Sequence, residues 1–205
     1  MKPLHASAFV LFCLFGFSNP YLKKFYAYQQ KSYFEHNVYQ EHTFQTFYKL
    51  EAIRQVVSVD SPDLHLLNAC LFFATNKLRA MKNKPLLQFD DKLKNAAAIH
   101  SYQMATRHFF AHNNYFDSKI KTPENRLQMV GIKYSMYAEN CSKKYLDDDG
   151  ITYIELAQQI IEGFYNSPPH RTNLLLNILK YCALSAAIEK NKEDVYVVVT
   201  QDFYK

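Results

Sequence analysis

The chain has 205 residues, of which 48% are hydrophobic and 21% are charged, a composition that supports a packed core and excludes a wholly disordered protein. The formal net charge is only +5, and Lys outnumbers Arg 19 to 5 without forming a basic stripe, which argues against a nucleic-acid partner because base recognition relies on Arg. Gly is scarce, and neither GxGxxG nor GxxxxGK occurs, so a Gly-rich phosphate loop is not expected.

Residues 1–18 have the pattern of a secretory signal peptide. Lys2 precedes a long apolar stretch, and the small residues Gly16 and Ser18 stand at positions −3 and −1 of the expected cleavage site. We therefore predict a secreted or cell-envelope protein. Two alternatives stay open: an uncleaved N-terminal anchor, favoured by the lysine pair that follows the apolar stretch, and a lipoprotein attached through Cys13.

Residues 19–60 form an extension with a different composition. Ten aromatic residues occur between Tyr21 and Tyr48, and the extension contains no Gly. This composition indicates a helical or extended segment that packs on a surface, and it is unlike a flexible linker. We expect the extension to pack on the following domain, residues 61–205; attachment to a membrane or to a partner is the alternative.

Helical periodicity and capping residues predict four helices and a short fifth one in the main domain. Their expected bounds are 62–81, 90–113, 122–131, 152–166 and 168–176. Ser61 is the predicted N-cap of the first helix and Asp90 that of the second. Gly131 is expected to close the third helix in a left-handed conformation, and Thr152 with Glu155 forms a capping box at the start of the fourth.

The C-terminal stretch changes to a period of two, which is typical of strands. Cys182–Ile188 and Val195–Thr200 alternate in this way, and the charged turn Lys190–Asp194 separates them. The pattern predicts a β-hairpin. A further strand is predicted at Ile132–Tyr137. Helices followed by strands favour an α+β domain in which helices cover an antiparallel sheet.

Three polar residues at irregular junctions form a candidate site. His112 follows the second helix beside two asparagines, Glu139 follows a strand-like stretch, and His170 follows two prolines that restrict the backbone. Two imidazoles and a carboxylate suit a divalent cation such as Zn²⁺. The alternative is a structural role for each residue. His108 and His112 stand four apart, the spacing of a metal-binding pair on one helix face, but the HExxH pattern is absent.

A nucleophilic site has weaker support. Cys141, Ser142 and Ser167 lie near the candidate residues, yet none stands in a GxSxG elbow or a cysteine-protease signature. Removal of the signal peptide would leave Cys70, Cys141 and Cys182, an odd number that allows one disulfide with a free thiol, or none. We interpret these cysteines as small buried residues.

Motifs along most of the chain resemble the bacterial branch of the CAP superfamily, whose members include cysteine-rich secretory proteins, plant pathogenesis-related proteins and insect venom antigens. The resemblance covers about Leu64 to Phe203 and follows the family's order. The residues that carry it are Asn68 and Arg79, Pro85-Leu86, Asp90 to Leu93, Ala96-Ala97 with His100, Phe109 to His112, Thr122 to Arg126 with Gly131, Ala138-Glu139-Asn140, Phe164 to Asn173, and Tyr196 to Phe203.

The resemblance implies an α+β fold, a three-layer α-β-α sandwich with an antiparallel sheet and an open cleft. The family's second cleft glutamate has no clear counterpart here, and Ser167 falls near its place. By this resemblance the cleft and ligand-binding residues are His112, Glu139, His170, Asn140 and Ser167, with Arg126 and Arg171 as structural support. His112, His170 and Glu139 are the implied ligands of Zn²⁺ or another divalent cation.

No single enzymatic activity is general to the family, whose members are associated with binding of lipids, divalent metals or proteins. We therefore expect an exported bacterial binding module more than an enzyme, with a lipid, a protein or a cell-envelope component as its ligand. One alternative is a metal-assisted or nucleophilic hydrolase that uses the same cleft with Glu139 as base. The other is a lipid-binding or membrane-attached protein that acts through the aromatic extension.

Overall fold

The computed structural model describes residues 19–28, 34, 37–147 and 149–205. The chain separates into two compact units after Gln30. In the first unit the described helix is α1 (Pro20–Tyr28), and the predicted signal peptide, residues 1–18, lies outside the described residues. No helix within the described ranges is both long and apolar enough to cross a membrane.

The second unit has the predicted order of helices followed by a C-terminal hairpin. Its helices and strands are α2 (Val38–Glu41), α3 (Phe44–Phe47), α4 (Leu64–Met81), β1 (Gln88–Phe89), α5 (Asp91–Arg107), α6 (Pro123–Met129), β2 (Tyr137–Tyr145), α7 (Tyr153–Asn166), α8 (Pro168–Leu175), β3 (Tyr181–Asn191) and β4 (Asp194–Tyr204). Short 3₁₀ turns occur at Glu51–Arg54 and Ser118–Ile120.

Side chains at the helix starts explain where the helices begin. Asp90 caps α5 and Thr152 caps α7 in a capping box, and both predictions are confirmed. The N-cap predicted for α4, Ser61, is wrong, because Asp63 is the N-cap of this helix. The reason is that the Asp63 carboxylate accepts hydrogen bonds from two backbone N–H groups of the first turn, each at 3.0 Å, so α4 begins later than expected.

Two predicted boundaries are wrong. The helix expected to reach Asn113 stops at Arg107, because His108 takes a left-handed conformation with φ 52°. His108 and His112 therefore do not share a helix face. The strand expected to begin at Ile132 begins five residues later, with β2, because the Ile132 N–H closes the end of α6 in a Schellman motif around Gly131.

One mixed sheet contains the four described strands in the order β1-β3-β4-β2. β3 and β4 form the predicted hairpin, and β2 pairs antiparallel with β4. The sheet departs from the expected antiparallel pattern only at β1, whose two residues pair parallel with β3. α5 packs on one face of the sheet, and α4, α7 and α8 lie over the other. This arrangement confirms the predicted three-layer α-β-α sandwich of the α+β class.

Aromatic residues that precede α4 are part of the main core. Phe47 is fully buried and stacks on Phe73, with ring centroids 4.1 Å apart. Tyr39 stacks on Phe89 of β1 at 3.5 Å. These rings thus pack within the domain, although the division at residue 60 stays a prediction. Within the described ranges three cysteines are buried and free: Cys70, Cys141 and Cys182.

Candidate functional site

Glu139, on the edge strand β2, is the centre of the candidate site. Its side chain is only 2% exposed. Oε1 accepts a hydrogen bond from His112 Nδ1 at 2.8 Å, and Oε2 accepts one from the Arg126 guanidinium at 2.6 Å. Burial alone would raise the carboxyl pKa, but the hydrogen bond from His112 and the positive charge of Arg126 outweigh it and lower the pKa of Glu139. Glu139 is therefore ionised near neutral pH.

The alternation of side chains along β2 connects the two helical layers. Glu139 and Cys141 point to the face covered by α5, and Asn140 points to the opposite face. There the Asn140 side-chain amide donates hydrogen bonds to the Gln201 side chain at 3.0 Å and to the backbone carbonyl of His170 at 3.3 Å. Consecutive residues of one strand thus contact the segments that carry His112 and His170.

His112 lies in the loop that follows α5, and Arg126 holds this loop. The guanidinium of Arg126 donates to the backbone carbonyls of His112 and Ile120, both at 3.1 Å. The His112 side chain is 54% exposed, and its hydrogen bond to Glu139 raises the His112 pKa. Since Nδ1 faces the carboxylate, Nε2 is the nitrogen left for a ligand.

His170 lies in the first turn of α8 and is half-buried. Partial burial, and to a smaller extent the positive charge that His112 can carry, lower the pKa of His170. Asn173, one turn later, donates to the Glu139 carbonyl at 3.2 Å and to the Asn140 side chain at 2.9 Å. These bonds fix α8 against β2, a role of Asn173 that no pattern in the sequence predicts.

Two further predicted residues, Ser167 and Arg171, lie at the start of α8. Ser167 is its N-cap but makes no side-chain capping hydrogen bond, and its assignment to ligand binding stays a prediction. The Arg171 guanidinium donates to the Tyr165 carbonyl at 3.1 Å and lies over the Tyr165 ring. Arg171 therefore joins the end of α7 to α8.

Glu139 belongs to a group of buried side chains of metal-binding types on the face of the sheet that α5 covers. One ligand atom each from His100, Glu139 and Cys141 lie within 4.8 Å of one another, and this group could hold a metal ion. His170, which we predicted as a ligand beside Glu139, does not belong to it. The sequence signal was the spacing of Glu139 and Cys141, which places both on one face of a strand. The position of His100 opposite them depends on tertiary packing.

Two surface depressions lie next to β1 and away from this site. One is lined in part by Tyr39, Phe72 and Phe89, and the other in part by Ile178 and Tyr181. The three candidate ligands line neither of them. Neither depression is the open cleft expected around those ligands, and that cleft stays a prediction.

Asp202 of β4 is the cross-strand neighbour of Glu139 and is buried. Burial, together with the negative charge of Glu139, raises the pKa of Asp202 well above its usual range. A carboxyl with a raised folded-state pKa favours the fold when protonated, and this contribution is lost as pH rises above the unfolded value of about 3.9. We predict that Asp202→Asn, which needs no proton, increases the urea midpoint at pH 7 and has little effect at pH 4.

The matched control for this prediction is Asp147→Asn, because Asp147 is exposed. Urea unfolding of both variants and the wild type at the two pH values measures the effect. A gain of equal size at pH 4 and pH 7 for Asp202→Asn would contradict the assignment of a protonated carboxyl.

The sequence comparison decides the family. A family model described as the cysteine-rich secretory protein family, CAP, matches residues 72–203. The chain belongs to the CAP family. The matched part of the CAP domain extends from α4 to β4 and contains His100, His112, Glu139 and His170. No curated protein matches the chain.

Two solved bacterial structures share the fold at a TM-score of 0.50, and a third is similar at a lower score. An extracellular protein from Bacillus anthracis that contains an SCP domain is 24% identical, with a TM-score of 0.50 over 68% of this chain and 40% of that one. An outer surface protein from Borrelia burgdorferi is 17% identical, with a TM-score of 0.50 over 66% and 90%. A cysteine-rich secretory protein from Staphylococcus aureus is 18% identical, with a TM-score of 0.46 over 66% and 38%. This chain thus spans 40% of the Bacillus anthracis chain.

Proposed function

We propose that this CAP-domain chain is an exported binding module that holds a divalent cation such as Zn²⁺, or a small polar ligand, between His112 and His170. The observation that carries the proposal is the hydrogen bond from His112 Nδ1 to the buried Glu139 carboxylate. A carboxylate that accepts from one ring nitrogen fixes the tautomer and leaves the other nitrogen as a metal ligand.

Two imidazole nitrogens are suitable ligands for a cation of intermediate softness such as Zn²⁺. His112 offers Nε2 from a largely exposed ring, and the lowered pKa of His170 keeps its imidazole neutral near pH 7. The Glu139 side chain is only 2% exposed, and its Oε1 accepts from His112 Nδ1, on the side of the ring away from the exposed Nε2. We therefore give Glu139 an orienting role toward His112 at this cation, in place of the direct ligand role expected from the sequence.

Two features favour binding over hydrolysis. Burial raises the pKa of the Cys141 thiol well above its usual range, so this cysteine is not a thiolate nucleophile. Glu139, the base of the hydrolase alternative, is held by Arg126 in a buried ion pair, which weakens it as a proton acceptor.

Exposed aromatic side chains near His112 support a ligand with an apolar part. Phe110, Tyr115 and Phe116 are 50%, 72% and 57% exposed in the same loop, and such side chains on a surface are typical of interaction sites. A lipid, a cell-envelope component or a protein meets this requirement. Export is supported by the N-terminal signal pattern and by two similar structures described as extracellular and outer surface proteins.

The test is calorimetric titration of the full chain with Zn²⁺. We expect His112→Ala and His170→Ala each to weaken one binding event by at least about tenfold, since loss of even an orienting partner weakens metal sites by 10–100-fold. The matched control is His42→Ala, which should bind like the wild type. His42 is the C-cap of α2 and is remote in sequence from the site.

Two results would overturn the proposal. One is Zn²⁺ affinity that neither histidine substitution changes. The other is turnover of a peptide or ester panel that both substitutions abolish, which would replace the binding module by the hydrolase.

A further inference from the structure

We propose that His100, Glu139 and Cys141 form a second, buried site for a thiophilic divalent cation, with Zn²⁺ as the favoured ion. This inference does not rest on the proposed function, because neither the His112 nor the His170 ring is among its three ligands. The two sites adjoin, since Glu139 serves both and His112 Nδ1 lies 3.8 Å from Cys141 Sγ.

The three donors have the separation that a small rearrangement can convert into a metal site. Their ligand atoms lie within 4.8 Å of one another, and all three residues are buried. Bonds from Zn²⁺ to sulfur, nitrogen and oxygen are about 2.0–2.3 Å long, so ligand atoms on one ion lie about 3–4 Å apart. Side-chain rotations that move the ligand atoms by about 1 Å therefore bring them to the spacing that one Zn²⁺ ion requires.

His100 supplies the independent sign that a ligand belongs there. Its Nε2 lies 2.9 Å from the Ala111 carbonyl and must carry a proton to donate to it. Nδ1 then has a free lone pair, and this buried atom has no hydrogen-bond partner. Burial lowers the pKa of His100 to about 4, so the ring is neutral at pH 7. A ring held by a backbone carbonyl on one side and open on the other is typical of metal-ligating histidines.

Cys141 decides which cations the site would take. A thiolate beside an imidazole favours Zn²⁺ and softer ions over Mg²⁺ and Ca²⁺, which prefer oxygen ligands. Its burial means that metal binding must displace the thiol proton, which leaves to solvent. The bound state is a thiolate–metal bond, and no oxidant or reductant takes part.

Glu139 can serve this site without releasing its present partners. Each carboxylate oxygen has two lone pairs, and each accepts one hydrogen bond, from His112 or from Arg126. Arg126 places one positive charge beside the site. The Glu139 carboxylate and the Cys141 thiolate provide negative charge to oppose it, whereas the protonated carboxyl of Asp202 adds none.

Cobalt titration of the reduced full chain tests the site, because a cysteine thiolate bound to Co²⁺ gives a charge-transfer band in the near ultraviolet. We expect this band in the wild type, its loss on addition of Zn²⁺, and its absence in Cys141→Ser. Cys182→Ser is the matched control, since Cys182 is an equally buried free cysteine on the other face of the sheet, and it should keep the band. His170→Ala should keep it too, which separates this site from the one proposed above.

His100→Gln should weaken Co²⁺ binding, followed by the same band, by at least about tenfold. If Cys141→Ser fails to fold, X-ray absorption of the Zn²⁺-loaded wild type replaces it and should show one sulfur ligand at about 2.3 Å. The proposal is overturned by a wild type without a thiolate band at saturating Co²⁺, by a band that survives Cys141→Ser, or by a zinc shell without sulfur.

Discussion

Arg126→Met is expected to destabilise the domain by about 3–5 kcal/mol, because it leaves the Glu139 carboxylate buried without its cationic partner. The two side chains are 1% and 2% exposed and lie 2.6 Å apart. The same substitution removes the hydrogen bonds that the guanidinium donates to the backbone of the His112 loop. Urea unfolding at pH 7 measures the loss.

The double variant Arg126→Met, Glu139→Gln is the informative control. It removes the uncompensated charge together with its partner, so we expect it to recover a large part of the stability lost in Arg126→Met. A double variant as unstable as the sum of the two single variants would show that the ion pair is not the source of the effect.

Arg79→Leu is expected to destabilise the domain by about 3 kcal/mol through unpaired carbonyl groups. Arg79 is fully buried, and its guanidinium donates to the backbone carbonyls of Pro85, Leu174 and Leu176. Each buried acceptor left without a donor costs about 1–3 kcal/mol. The urea midpoint of the purified variant measures the change.

Arg171→Ala provides the matched control, since Arg171 is also tied to α8 but is only half-buried. We expect it to lose about 1 kcal/mol or less, because its lost contacts can be replaced by water. Equal losses for the two arginines would contradict the role of burial.

Much of the fold is predictable because its signals are local. The capping residues Asp90 and Thr152 and the alternation of the C-terminal hairpin act over a few residues, and the structure contains those elements. The errors arise where tertiary contacts decide whether a segment forms a strand or where an element begins and ends. The two-residue strand β1 has no recognisable pattern of its own, and it exists because it pairs with β3.

In the candidate site, too, some features are predictable from the sequence and others depend on tertiary contacts. The residue types and the family resemblance predict that His112 and Glu139 lie together, and the two side chains form a direct hydrogen bond. The sequence could not show that Glu139 faces α5, where His100 and Cys141 adjoin it, because the boundary of β2 was misplaced. Likewise, the burial that keeps Asp202 protonated is a property of packed layers and leaves no pattern along the chain.

The anchoring of α8 has an evolutionary consequence. The Asn140 side chain donates to the backbone carbonyl of residue 170 near the start of α8 and accepts from the Asn173 amide further along the helix. Arg79 donates to the carbonyl of Leu174 near its end. None of these bonds uses the imidazole of His170. The backbone bonds that hold residue 170 thus do not depend on its imidazole, whose ring packs edge-on against Phe164 at a centroid distance of 5.4 Å. A single substitution there can therefore change the side chain at the candidate site while these anchoring bonds are inherited unchanged.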